Sequence, residues 1–364
     1  MKKIKVVLGK RSYNICIKAG MLSSAGNILK TLNIANTAYI ITNKKIKSVY
    51  GKRLEASLSK QGILNKFHIV PDSEKAKSYA CWCKAIHNLA DFDKGKGVCV
   101  IALGGGVVGD LAGFVASTYR RGVPFIQIPT TLLAQVDSAI GGKVAIDIEC
   151  AKNLVGAFYQ PKVVISDPLV LRSLPPRQIR NGLAEVIKYG IILDKKFFSY
   201  LENNISKILK LNPACLEHLI ACCSKLKAEV VSADEEEKTG YRSILNFGHT
   251  IGHAIEASVS YGKSVNHGEA VAVGMLCAFD IALMLNMAKE RDLIRLEALI
   301  KKTGLPTRVK GINIAKVIKA TSYDKKIIRG KKRWVLPVAI GHVAVCSKVD
   351  DSIIREAIKK RFCG

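Results

Sequence analysis

Val98-Cys99-Val100-Ile101-Ala102-Leu103-Gly104-Gly105-Gly106-Val107-Val108-Gly109-Asp110 is the stretch on which the fold turns. Its apolar, β-branched opening reads as a strand with both faces covered, and the glycines that follow read as a turn into a helix over Val107–Ser117. Glycines at that place let backbone amides approach a pyrophosphate closely, and the start of the helix favours negative charge. The spacing is not G-x-G-x-x-G, so a plain tight turn accounts for the same glycines when they are taken alone.

Working outward, short β-branched runs alternate with helical stretches. Ala38–Thr42, Lys66–Val70, Phe125–Pro129 and Val163–Asp167 are expected strands, and Lys75–Leu89 an expected helix. Such alternation predicts a parallel α/β sheet. After Leu174-Pro175-Pro176 the texture changes. Arg177–Ile192, Lys195–Leu209, Ala214–Ser232, Leu245–Ala257, Glu269–Leu285 and Glu290–Thr303 carry helical periodicity, with small strands at Ile327–Ile328, Arg333–Val338 and His342–Cys346. The expected organisation is an α/β nucleotide-binding domain over residues 1–174, then a mainly helical metal-binding domain over 175–364.

Composition narrows the function. Hydrophobic residues at 49% against 24% charged exclude a disordered chain. The longest apolar segment, Ala270–Met287, is interrupted by Asp280 and reads as a buried helix, so no membrane partner is expected. Ile4–Leu8 is short and broken by Lys5, which fails as a signal peptide. The eleven cysteines lie in apolar segments without metal-finger spacing and read as reduced thiols, which places the protein in the cytoplasm. The net charge is +28, densest over 301–364 with seventeen basic and four acidic residues. These lysines are dispersed and accompany no nucleic-acid-binding signature, so an anionic small molecule is the expected partner and nucleic acid is not.

Polar groups cluster at strand ends and glycine turns. They are Arg121-Gly122, Pro129-Thr130-Thr131, Asp137, Gly141-Gly142-Lys143 and Lys152-Asn153. Paired threonine hydroxyls suit a nucleotide, and the cations suit phosphate or carboxylate. Asp72–Lys77 follows a strand, where an acidic side chain could hold a ribose or simply begin a solvated helix. In the second half, His249 and His253 are four apart and share one helix face, and His267 follows in Asn266-His267-Gly268-Glu269. Three ligands with an open position suit a catalytic divalent metal. Glu185 sits among apolar residues at helical spacing, and its pairing with Lys188 is the plain structural account. Glu256 and Glu269 compete with it as the carboxylate ligand, and spacing does not choose. Lys227, Arg242, Asn246 and Asp324-Lys325-Lys326 could add charge and amide groups, or lie on the surface.

Together these stretches resemble the 3-dehydroquinate synthases, within the sugar phosphate cyclase family. The matching segments are Gly104–Phe114, Arg121-Gly122, Pro129–Lys143, Lys152–Pro161, Gly182–Ile192, Arg242–Glu256 and His267–Met275, in family order. The resemblance implies an NAD- and metal-dependent lyase with zinc or cobalt, a cytoplasmic homodimer whose active site lies between its domains. The implied substrate is 3-deoxy-D-arabino-heptulosonate 7-phosphate, converted to 3-dehydroquinate and phosphate by transient oxidation, elimination, re-reduction and aldol closure. It implies Glu185, His249 and His267 as metal ligands and leaves His253 for proton transfer. The NAD side would be Asp72, Ser73, Glu74, Lys75, Ala76, Lys77, Gly106, Val107, Val108, Gly109, Asp110, Thr130, Thr131, Asp137, Lys143, Lys152, Val170, Leu171, Arg172 and Ser173. Substrate contacts would come from Arg121, Asp137, Lys143, Asn153, Lys188, Lys227, Arg242, Asn246, His253 and one of Lys325 or Lys326.

The chain departs from the family pattern at Ser73 and Ala76, at Arg120, at Ser264-Val265-Asn266, and by one residue inserted around Glu235–Lys238. None of these removes an implied ligand. Two neighbouring readings are a cyclase acting on sedoheptulose 7-phosphate or glucose 6-phosphate, and an NAD- and metal-dependent polyol dehydrogenase. Retention of Lys152-Asn153, Arg242, Asn246 and Asp324-Lys325-Lys326 favours the carboxylate-bearing substrate.

Overall fold

The computed structural model describes residues 1–95, 97–149, 151–259, 265–322 and 333–363. The chain forms two compact units, Met1–Leu174 with Leu216–Glu236, and Pro175–Cys215 with Glu237–Gly364.

The first unit is built on a seven-stranded sheet. Its strands are β1 (Lys2–Val6), β2 (Tyr13–Ile17), β3 (Thr37–Asn43), β4 (Leu64–Val70), β5 (Val98–Gly104), β6 (Phe125–Pro129) and, after a separate hairpin of β7 (Lys143–Ile148) and β8 (Ala151–Phe158), β9 (Val163–Ser166). They run in the order β1-β2-β9-β6-β5-β3-β4, antiparallel only at β1–β2. Every residue of β5 is buried, as expected of a strand covered on both faces. Its side chains alternate: Val98, Val100 and Ala102 join the core under one face, while Cys99, Ile101 and Leu103 join the core under the other.

The helices sort accordingly. α1 (Ala25–Thr31) and, after the single turn α2 (Lys44–Ile46), α3 (Lys52–Ser59) bury leucines in one core; α4 (Tyr79–Asp93) and α5 (Gly106–Thr118) fill the other. The connections from β3 and β5 therefore leave toward opposite faces. The winding thus reverses between these neighbouring strands, and the carboxyl ends at such a switch point are where open α/β sheets bind ligands.

The second unit is mainly helical: α6 (Pro176–Leu193), α7 (Lys195–Leu209), α9 (His249–Ser258), α10 (His267–Met284), α11 (Glu290–Thr303), α12 (Ile314–Ser322) and α13 (Asp351–Arg361). Two small strand pairs accompany them among the described residues, namely β10 (Val309–Lys310) with β13 (Phe362–Cys363), and β11 (Trp334–Ala339) with β12 (His342–Cys346). α10 is apolar all round and buried along its length, packed by α6, α9, α11, α13 and β11. It is long and apolar enough to span a membrane by length and composition, yet its own unit encloses it and Arg361 pairs with its Asp280 at 2.6 Å.

Several sequence expectations need correction. The helix between them, α8 (Pro213–Ala233), was expected in the second domain, but from Leu216 onward it packs with the first unit. Polar contacts hold it there: Ala19 N donates to Glu217 Oε1 at 2.7 Å and Val7 N to Ser232 Oγ at 3.0 Å. The helix expected over Lys75–Leu89 starts at Tyr79, because Ser78 is extended and caps it by accepting from Cys81 N at 3.2 Å. Glu74–Lys77 forms a separate 3₁₀ turn. The helix expected over Leu245–Ala257 starts at His249, because Gly248 adopts φ +76° and divides it from the 3₁₀ turn Tyr241–Asn246. The strand expected at Ile327–Ile328 lies outside the described residues, as do Asp324, Lys325 and Lys326.

Candidate active site

In the second unit, α9 and α10 bring the histidines together. A β-carbon on Gly274 of α10 would collide with Gly248 O and come within 2.9 Å of Gly252 N, so only small residues permit this close crossing. The left-handed Gly248 turns the chain into α9, and Phe247 O then lies 3.0 Å from His249 Nδ1. A proton on Nδ1 leaves the lone pair of His249 on Nε2, which faces Glu185 Oε1 at 3.2 Å. His267 opens α10 directly after the Asn266 cap, and Asn181 of α6 accepts from Gly268 N beside it. Its Nε2 lies 3.3 Å from the same Glu185 oxygen and its Nδ1 lies 3.2 Å from Glu256 Oε2.

Glu185 is fully buried on α6 and pairs with Lys188 one turn on. The plain ion pair and the triad are therefore both present. The competing carboxylates are accounted for: Glu269 closes a capping box with Asn266 and pairs with Arg177 at 2.8 Å, while Glu256 supports His267 from behind.

The donor set fits a cation. One carboxylate oxygen and two imidazole nitrogens lie within 4.8 Å of one another. Their separations of 3.2 and 3.3 Å match the edges, about 3.3–3.4 Å, of a tetrahedron with bonds of about 2.0–2.1 Å. Burial pushes the Glu185 carboxyl up, but Lys188, His249 and His267 outweigh it and hold the carboxyl well below its usual range. Burial also depresses His249, which favours the neutral form that ligates metals. Burial would lower His267 as well; its hydrogen bonds to Glu185 and Glu256 prevail and raise it to about 10. A proton on His267 thus holds the charge balance that a divalent ion would take over. Zinc or cobalt suits two imidazoles and a carboxylate with one open position.

Of the other implied residues in this unit, Lys188 and Arg242 are buried, Arg242 Nε lying 3.7 Å from Glu237. Asn246 ends the 3₁₀ turn before Gly248, and His253 stands one turn beyond His249 with ring centroids 5.3 Å apart.

In the first unit, the carboxyl ends of β4, β5 and β6 carry residues expected on the nucleotide side. Asp72, after β4, accepts from Asn43 Nδ2 at the end of β3 at 2.7 Å. Gly105 and Gly106 form the turn into α5, whose first amides have no side-chain cap among the described residues. β-Carbons there would crowd Thr131 Cγ2 at 3.0 Å and Ser138 Oγ at 2.9 Å. Val107, Val108, Gly109 and Asp110 continue the first turns of α5. Thr130 follows β6, and its buried hydroxyl has no hydrogen-bond partner among the described residues, like that of Ser138. Thr131 Oγ1 accepts from Ala134 N at 3.1 Å. Uncapped amides, a glycine turn and orphaned hydroxyls at a switch point fit a dinucleotide.

The remaining assignments vary in how much side chain they expose. Ser73 and Lys75 are exposed, and Glu74 lies 3.6 Å from Lys152. Ala76 and Lys77 turn inward; Lys77 Nζ donates to Asp110 Oδ2 at 2.7 Å and also to Asn153 Oδ1. Burial raises the Asp110 carboxyl to about 6 against the pull of Lys77. Val170 and Leu171 have core side chains, so they can offer only backbone; Val170 O and Ser173 Oγ both meet Tyr50 OH, and Arg172 is exposed. Arg121 and Asn153 both hold left-handed backbone, with φ +64° and +52°. Lys143 starts β7 on the hairpin that also carries Lys152 and Asn153. Asp137 accepts from Lys227 Nζ at 2.8 Å, so Lys227 stands with the nucleotide-side residues.

Sequence reasoning missed the Lys77–Asp110–Asn153 network and the Asn43–Asp72 contact. Lys77 and Asp110 are both among the residues expected on the nucleotide side, but the network joins positions far apart in the chain, which spacing does not pair.

Comparison with known proteins agrees with both halves. Residues 67–181 match the family described as 3-dehydroquinate synthase N-terminal, and residues 182–327 match 3-dehydroquinate synthase C-terminal. The 3-dehydroquinate synthase of Desulforamulus reducens is 45% identical over 356 residues, 97% of this chain and 98% of that protein. A 2-deoxy-scyllo-inosose synthase solved with carbaglucose-6-phosphate, NAD+ and Co2+ is 26% identical with a TM-score of 0.88, covering 99% of this chain and 100% of its own. The 2-epi-5-epi-valiolone synthase of Streptomyces hygroscopicus subsp. jinggangensis, solved with NAD+ and Zn2+, shares the fold at 24% identity and a TM-score of 0.87, covering 97% of this chain and 98% of its own. With both halves matched in order and such identity along the full length, the chain belongs to the 3-dehydroquinate synthase family.

Proposed function

We propose that this protein converts 3-deoxy-D-arabino-heptulosonate 7-phosphate to 3-dehydroquinate with release of phosphate, as a step toward aromatic compounds. The observation that carries the reading is the 45% identity to a 3-dehydroquinate synthase over 97% of the chain. The buried Glu185, His249 and His267 triad supports it. When bound, NAD supplies a reversible hydride acceptor and a zinc or cobalt ion supplies a Lewis acid for a substrate hydroxyl.

The chain's own residues do the rest. Glu185, His249 and His267 hold the ion, with Phe247 O and Glu256 fixing the two imidazoles. The uncapped start of α5 and the Thr130 hydroxyl bind the dinucleotide. His253 exchanges protons with substrate at Nδ1 or Nε2, within one helical turn of the ion ligands. Arg121, Lys143, Lys188, Lys227 and Arg242 offset the charge of the phosphate and carboxylate, Asn153 and Asn246 donate amide hydrogen bonds to them, and Asp137 orients Lys227. The enzyme acts as a cytoplasmic homodimer.

A substrate panel tests the reading. The cation-loaded protein with NAD is expected to release phosphate from the heptulosonate phosphate at least a hundredfold faster than from sedoheptulose 7-phosphate or glucose 6-phosphate. The reverse preference would assign it to another branch of the cyclases.

A further inference from the structure

The cation triad is not the sole ligand-capable group among the described residues. His253, Glu256 and His267 each offer one donor atom, and these atoms also lie within 4.8 Å of one another. His249, His253 and Glu256 occupy positions i, i+4 and i+7 of α9, so they form one stripe along that helix. His267 stands against the stripe with its two nitrogens turned to different carboxylates, Nε2 to Glu185 and Nδ1 to Glu256. The Nδ1–Oε2 separation of 3.2 Å again matches the edge, about 3.3–3.4 Å, of a tetrahedral site. This outer group is more open than the inner one, with His253 exposed and Glu256 and His267 half-buried.

We propose that His253, Glu256 and the Nδ1 side of His267 form a second, weaker divalent-cation site that shares His267 with the first; the second ion displaces the Nδ1 proton held against Glu256, which leaves to solvent, so that His267 bridges the two ions as an imidazolate. Two nitrogens and a carboxylate oxygen select the same borderline cations, zinc or cobalt. The outer ion binds less tightly for two reasons. Its ligands are better solvated, and two like charges on opposite sides of one imidazole repel each other. The site has a consequence that rests on the reaction proposed above: an ion on His253 removes the group assigned to proton exchange, so excess cation restrains turnover.

Titration of the full-length protein, stripped of cations, with Co2+ tests this. Ligand-field absorbance and equilibrium dialysis should report two equivalents per chain, the second at least tenfold weaker than the first. His253→Gln should lose the second equivalent and keep the first at unchanged affinity; Glu256→Gln should lose the second as well. Saturation of the wild type at one equivalent overturns the proposal, and so does a second equivalent that persists in His253→Gln. The stoichiometry decides the site whether or not the protein turns over the heptulosonate phosphate. Turnover at two equivalents is expected at least tenfold below that at one; equal turnover at both loadings overturns the restraint while leaving the site.

Discussion

His267 sits between two carboxylates, and that position explains why three acidic residues competed in the sequence for one role. Glu185 meets Nε2, Glu256 meets Nδ1, and Glu269 is occupied with the helix cap and Arg177. Spacing could not separate them, because Glu185 and His267 are joined only by the packing of α6 against α10. Removing one ligand leaves a buried carboxylate without its cation, so His249→Ala is expected to reduce phosphate release at least a thousandfold. Metal content after dialysis should fall with it; full metal content and undiminished turnover would contradict the ligand assignment. Asp110 offers a test by pH. Its folded-state value of about 6 lies above that of an unfolded aspartate, about 3.9. The folded protein therefore holds an extra proton between those values, and the stabilisation this gives is full below about pH 4 and lost as pH rises through 6. The loss is on the order of 2–3 kcal/mol. Chemical denaturation across pH 4–7 should show Asp110→Asn gaining by that amount relative to wild type, and a constant difference would refute the shift.

At the scale of elements, the strongly periodic segments were legible. Phe125–Pro129, Lys195–Leu209, Glu290–Thr303 and His342–Cys346 form with the bounds the sequence suggests. Apolar alternation and the 3.6-residue period are local signals, and these elements obey them. What escaped was decided elsewhere. The hairpin of β7 and β8 carries Lys143, Lys152 and Asn153, yet β8 is polar or exposed along most of its length and so has no core-facing pattern to read. The late start of α9 follows from Gly248, a single left-handed residue inside an otherwise helical run. That glycine, with Gly252 and Gly274, allows α9 and α10 to cross closely enough for His249 and His267 to share Glu185. Gly274→Ala is accordingly expected to cost about 2–3 kcal/mol of stability, as over-packing against backbone does, and to weaken cation binding. A thermal melt and cation titration matching wild type would show that the crossing tolerates a methyl group.

For the whole molecule, the composition excluded more than it identified. Asp280, which broke the apolar run in the sequence, is paired with Arg361 inside the second unit, and Arg361 also reaches Glu297 at 2.9 Å. The C-terminal helix is thereby tied to the buried α10. The division into a glycine-turn half and a histidine half was visible in the chain, but the return of Leu216–Glu236 to the first unit was not. Helical periodicity says which face of α8 is apolar and nothing about which core receives it. In the proposed reaction one protein both withdraws and restores a hydride while expelling phosphate. The direct measurement is rapid-mixing absorbance of the reduced nicotinamide in cation-loaded enzyme, with phosphate and dehydroquinate quantified in the same reaction. The prediction is a reduced-nicotinamide signal that rises and then returns to baseline as phosphate and dehydroquinate form in equal amounts. Reduced nicotinamide that accumulates and persists, with no phosphate released, would contradict it.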